Sequence, residues 1–206
     1  MNLNQAAGTL TLWALGDTLG AIGRVKISPL AILNRTNDTV RIKNDLSMNA
    51  ECTDSDIEWL NDSLSVIRDR SVLEGTCYFE FAASDSPSQP KCWSDGSLYI
   101  SDTGFDFLHS AFMRADSSFD YYSFNRFDSQ GVVNLLSELA EWESKVANSQ
   151  DCRILEQTFP GSFSFDYWSR YPWEDLRTRI IHASQEIRAF IVRHHHPDSF
   201  LWVLGM

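Results

Sequence analysis

The sequence predicts an α+β fold, a single domain in which amphipathic helices pack on a mixed or antiparallel sheet. Three observations carry this. Short runs that alternate apolar and polar residues are interleaved with longer stretches of helical period. Two of those runs lie close enough to form a hairpin, and the chain closes on the apolar run "FLWVLGM", which suits a buried strand. A length of 206 residues is enough for one sizeable core, and an apolar share of 43% with seven Trp and thirteen Phe excludes a disordered chain.

In the first fifty residues, Gly16, Gly20 and Gly23 punctuate an apolar run and "TVRIKND" alternates like a short strand. This glycine spacing lacks the tight first pair of a dinucleotide-binding loop and reads as turns and close packing. Residues 1–50 either belong to the main domain or form a layer of their own. Thr53 and Asp56 make a capping box, and Ile57, Leu60, Leu64 and Ile67 recur at helical intervals, which predicts a helix from about Asp54 to Arg70. "GTCYFEFAA" reads as a strand with Cys77, Phe79 and Phe81 on one side and Tyr78 and Glu80 on the other; "SLYIS", residues 97–101, is its hairpin partner. The loop between them holds Pro87, Pro90 and Gly96 and is longer than most hairpin connections.

Thr103 and Asp106 offer a second capping box, with Phe105, Leu108 and Phe112 as the stripe of a helix running to about Ala115. "SFDYYSFNRF", residues 118–127, is dense enough in rings to be a strand, and a shorter version, "SFDYWSRY", returns at residues 164–171. A helix follows each. The first is capped by Asp128 or Ser129 and carries Val132, Leu136, Leu139, Trp142 and Val146; the second begins at Pro172, carries Leu176, Ile180, Ala183, Ile187 and Phe190, and ends near His195 because Pro197 cannot continue it.

The net charge of −11 is spread along the chain, so a phosphate backbone is repelled and nucleic acid is excluded as a partner; a basic protein is favoured, although acidic charge also serves solubility. Four cysteines at 52, 77, 92 and 152 lack zinc or redox spacing. The N-terminal apolar run has no base ahead of it and is interrupted by Asp17, which predicts neither a signal peptide nor a membrane span. A reducing cytoplasm is therefore the expected location.

Candidate chemistry is sparse. His194, His195 and His196 point in different directions on a helix and have no carboxylate at ligand spacing, so they read as cations at a helix C-terminus and not as a metal site. His109 and His182 have no nucleophile at a telling spacing, and no serine elbow, phosphate loop or metalloprotease motif occurs. No catalytic residue, metal or cofactor is predicted. The acidic stretch from Asp45 to Asp62 has no Lys or Arg and reads as a solvated helix start or as a docking surface in which Asp54, Asp56 and Glu58 accept bases from a partner. In an extended strand Asp120, Tyr122, Phe124 and Arg126 share one face, and Phe119, Tyr121 and Phe127 the other; in the second copy Asp166, Trp168 and Arg170 share a face. Tyr, Trp and Arg dominate interface hot spots, and they also bridge a core to its rim.

"FDYYSFNRF" followed by the "LLSELAEW" helix, a long C-terminal helix and "FLWVLGM" resembles a group of small bacterial proteins, some of which look like immunity proteins of polymorphic or contact-dependent toxin systems. The resemblance covers residues 103–206 and brings no catalytic residues with it. It implies an intracellular, non-enzymatic protein that binds and blocks a cognate toxin. Two other classes compete with it: a small-molecule enzyme using Asp120, Arg126, His109 and Asp166, and a scaffold or assembly subunit.

Overall fold

The computed structural model describes residues 53–205 except 76, 89 and 162. The readings that fall on residues 1–52, from the glycine turns to Asp45, lie outside the described residues. The rest is an α+β unit around a five-stranded antiparallel sheet. Its strands are β1 (Val66–Ile67), β2 (Tyr78–Ser84), β3 (Leu98–Ser101), β4 (Phe124–Phe127) and β5 (Phe200–Leu204), in the order β1-β3-β2-β5-β4.

Six α-helices accompany it: α1 (Asp54–Ser63), α2 (Asp102–Asp106), α3 (His109–Ala115), α4 (Ser129–Ala147), α5 (Phe165–Trp168) and α6 (Trp173–His194). Alternation along the strands decides the layering. Phe79, Phe81, Leu98, Ile100, Phe127, Leu201 and Val203 point to one face and join the main core with Phe105, Phe112, Leu135, Leu139, Trp142, Ile180, Ile187 and Phe190 of the helices. Phe105 is the hub of the rings: Phe79 stacks on it at 3.7 Å, and Phe112 lies at 4.9 Å. The other face carries a small cluster of Ala82, Trp202 and Leu204 with Cys92 and Phe200 against it.

Most elements follow their local signals. Thr53 and Asp56 form the capping box of α1, Asp128 caps α4 by accepting the Gly131 N–H, and Pro172 precedes the first turn of α6. All five residues expected on the α6 stripe are buried.

Three expectations are corrected. The first helix does not run to Arg70. It stops at Ser63, because the Ser101 hydroxyl donates to the Ser63 carbonyl and the β-branched pair Val66–Ile67 leaves to pair with Ile100 and Tyr99. That contact is close enough to require Gly104, where a Cβ would stand 2.0 Å from the Ser63 oxygen. Second, the cap expected at Thr103 belongs to Ser101, which accepts the Gly104 N–H; the helix then breaks at Phe107–Leu108 into α2 and α3. Third, "SFDYWSRY" is not a strand. Ser164 accepts the Tyr167 N–H and starts the short helix α5, which turns Trp168 inward onto Phe107 at 5.1 Å and Phe159 at 5.4 Å. The similarity between the two aromatic stretches is therefore one of composition and not of conformation.

Candidate interaction surface

The stretch from Ser118 to Phe127 is half turn and half strand, and side-chain hydrogen bonds fix the turn. Asp116 accepts the Ser118 N–H and hydroxyl, and Asp120 accepts the Tyr122 N–H at 3.0 Å. Asn125, buried on β4, ties the turn to the strand: its Oδ1 accepts the Asp120 N–H and its Nδ2 donates to the Asp120 and Ser123 carbonyls. On the far side Gly205 donates to the Ser123 carbonyl, and only glycine fits there, since a Cβ would stand 2.0 Å from the Tyr121 oxygen.

This scaffold sorts the side chains into two sets. Phe119, Tyr121 and Phe127 pack against the core, whereas Asp120, Tyr122, Phe124 and Arg126 are all exposed, Tyr122 at 83% and Phe124 at 40%. Arg126 is engaged across the sheet: its guanidinium lies 5.2 Å from the Phe200 ring centre and donates to the Pro87 carbonyl at 3.3 Å. Asp120 and Asp128 stand exposed just before and just after β4.

The other residues singled out in the sequence gather around α1 and α5. Asp54 and Glu58 are exposed on α1. Asp56 is committed to the helix cap: the Thr53 hydroxyl and N–H donate to its carboxylate and hold its pKa below the ordinary value. Arg170, two residues beyond α5, adds a smaller effect of the same sign. Arg170 also lies 4.6 Å over the Tyr167 ring, and Asp166 is exposed. Trp168, by contrast, is only 8% exposed and belongs to the core, so the expectation that Asp166, Trp168 and Arg170 present one face is corrected by the helix that turns the ring inward. Among the described residues no hydrogen bond or ion pair joins β4 to α1 or α5, so the two sets are separate patches.

The four residues of the enzyme reading are not brought together. His109 lies under the sheet with its ring 5.1 Å from Tyr121, and none of the four lines any of the grooves described next. A groove of about 430 Å³, open to solvent, runs along α6 and is lined by Asn61, Asp175, Thr178, Arg179, His182 and Glu186 among others. Sequence reasoning noted His182 but missed this stripe, although positions 175, 179, 182 and 186 recur at helical spacing. Arg68 reaches Glu186 at 2.7 Å, and the Thr178 hydroxyl donates to the Glu174 carbonyl. Of two further grooves of about 370 Å³, one holds Ser71, whose hydroxyl donates to Asp69 at 2.7 Å where Asp69 also caps a short 3-10 turn, and the other is lined by Arg177, Thr178, Ile181, His182 and Gln185 beside Ala147.

Beneath Tyr121 lies a half-buried polar cluster. The Tyr121 hydroxyl donates to Asp106 Oδ1 at 2.8 Å; burial raises the Asp106 carboxyl and, together with that carboxylate, raises the Tyr121 phenol. Burial lowers the His109 imidazole, whose Nε2 has no hydrogen-bond partner among the described residues. His109 is thus held neutral in the fold, while the unfolded chain takes up its proton below about pH 6.5. Stability due to this group is complete above that value and is lost as pH falls towards the lowered folded pKa. His109→Phe should remove this loss: the difference in melting temperature between variant and parent is expected to grow from about pH 7.5 to about pH 5.5 in calorimetric scans. Asp106, whose folded pKa is raised, acts with opposite sign at lower pH and is common to both proteins.

The histidine run ends α6 as helix-terminal chemistry predicts. His194 lies 4.6 Å from Phe190, His195 Nδ1 is 3.1 Å from Ser199 Oγ, and His196 Nε2 is 3.1 Å from Asp85. Among the described residues no group of His, Cys, Asp or Glu is arranged to hold a metal ion, and no helix is long and apolar enough to cross a membrane.

What the geometry defines is an α+β unit with exposed aromatic and acidic patches at one sheet edge and around α1 and α5. Compared with known proteins, the chain matches no family model, no curated protein and no solved structure.

Proposed function

We propose that the chain is an immunity-type protein that binds and blocks a basic antibacterial effector inside the producing bacterial cell, with no turnover and no cofactor of its own. The observation that carries this reading is the outer rim of the sheet, where Tyr122 and Phe124 stand exposed beside Asp120 in a chain of net charge −11. Exposed rings supply binding energy at the centre of an interface, and surrounding carboxylates speed the approach of a basic partner. The acidic end of α1, with Asp54 and Glu58, would extend the same field. An effector that attacks nucleic acid carries basic charge around its cleft, so an acidic surface is suited to cover it.

Co-expression with the product of the neighbouring gene is expected to restore growth that this product alone arrests. The two proteins should also co-purify at a fixed ratio, and their association should slow as salt is added. Changing Tyr122 and Phe124 together to alanine should weaken the complex at least tenfold. If growth is not restored and no complex forms, the reading is wrong.

A further inference from the structure

Among the described strands β4 ends the sheet, and its outer main-chain groups can be identified from the ladder. Gly205 donates to the Ser123 carbonyl, so Ser123 and Gly205 form a hydrogen-bonded pair. Alternation then makes Asn125↔Val203 and Phe127↔Leu201 the next such pairs, and Phe124↔Leu204 and Arg126↔Trp202 the non-bonded ones. The N–H and C=O groups of Phe124 and Arg126 therefore point away from β5, and among the described residues nothing accepts from or donates to them. The opposite edge differs, since β1 has only two residues and Arg68 just beyond it is tied to α6 through Glu186.

Proteins usually protect such an edge with lysines, prolines or a covering helix. Here the strand contains no Lys or Pro, its one base is drawn across the sheet to Phe200 and Pro87, and exposed Tyr122 and Phe124 sit beside it. Carboxylates stand at both ends, Asp120 before the strand and Asp128 after it. Resting on the binding function proposed above, we infer that β4 accepts an extended basic segment of the partner as a sixth strand. Main-chain bonds to Phe124 and Arg126 fix its register, and its basic side chains meet Asp120 and Asp128. A second copy of this chain fits the edge less well, because two molecules of charge −11 repel each other on approach.

The probe is a synthetic peptide of alternating lysine and valine, titrated into the full chain, with a glutamate-for-lysine peptide as control. Binding of the lysine peptide should slow hydrogen exchange at the Phe124 and Arg126 amides, which are fast in the free protein. Arg126→Pro removes an outward N–H without breaking the β4–β5 ladder and should bind about tenfold or more weakly than Arg126→Ala, which loses the same side chain but keeps the N–H. The exchange measurement uses the unmodified protein, so it decides the matter even if the proline variant folds poorly.

The inference is overturned if the lysine peptide does not bind, if it binds while both amides stay fast, or if the glutamate peptide binds equally well. Protection of both amides in the free chain, whether or not it grows with concentration, overturns it as well. An effector that is neutralised in a complex leaving these amides fast would remove the added strand and keep the binding function; failure of neutralisation would remove the function itself.

Discussion

Deletion of residues 200–206 is expected to abolish the cooperative unfolding transition. β5 is not a terminal ornament: it lies between β2 and β4 and pairs with both. Leu201 and Val203 fill the main core, while Trp202 and Leu204 make the small cluster on the opposite face. Burial of each such side chain contributes about 1.5–3 kcal/mol, so losing four of them removes roughly 6–12 kcal/mol, comparable to the whole stability of a typical domain. The deletion also leaves the inner edges of β2 and β4 without partners. Thermal melts followed by tryptophan fluorescence and far-ultraviolet circular dichroism should show no sigmoidal transition. A truncated chain that still melts sharply near the parent temperature would mean that β5 is dispensable.

Glu80→Ala is the single substitution expected to cost most. Glu80 is fully buried on β2, on the face away from the helices, where a carboxylate would be intolerable without partners. The loop between β2 and β3 supplies them. The Trp93 and Ser94 N–H groups donate to its two oxygens at 2.6 and 2.9 Å, and the Ser97 hydroxyl donates at 2.7 Å. Trp93 takes φ +61°, a left-handed conformation that non-glycine residues seldom adopt, and stacks on Tyr99 at 5.7 Å, while Arg70 donates to its carbonyl. The carboxylate thus holds a strained loop in one shape, and removing it takes the acceptor from two half-buried N–H groups and from the buried Ser97 hydroxyl. A loss of about 3 kcal/mol is expected, which lowers the melting temperature by roughly 6–12 °C in a protein of this size. Hydrogen exchange should locate the damage in residues 85–97, with the helical side of the sheet protected as before. Unchanged stability would show that water or a rearranged loop replaces the carboxylate.

These two features were unequally legible in the sequence. The closing strand declared itself by its apolar run, and the face of β2 that carries Glu80 followed from alternation, but nothing local indicated that the acid is buried. Its partners are two main-chain N–H groups and the Ser97 hydroxyl, thirteen to seventeen residues downstream, and no local pattern points to them. The helices α4 and α6 were legible because their stripes are long, with Asp128 capping α4 and Pro172 marking the start of α6. The failures share a cause, which is tertiary contact overriding a local pattern. Ile67 kept helical spacing yet was drawn into a strand by Tyr99, and the alternation of "SFDYWSRY" yielded to the Ser164 cap and to a pocket of rings that takes Trp168. For the interaction surface, the sorting of Asp120, Tyr122 and Arg126 to the outside was readable from period-two alternation. What alternation could not show was that Trp168 turns inward, because that depends on how α5 meets Phe107 and Phe159; the Thr53–Asp56 capping box, by contrast, was readable and already committed Asp56 to its own helix.

The strand order has a consequence for how the molecule is made. β2 leaves the ribosome roughly 120 residues before the strand that must lie beside it, so β1, β2 and β3 emerge first, with β3 between the other two and the outer side of β2 bare. During that interval Phe79 and Phe81 have helices to cover them only as translation proceeds, and the flank of β2 can capture any other nascent strand. Synthesis rate and chaperone supply, more than the equilibrium stability of the finished fold, should therefore govern the yield of native molecules in a cell.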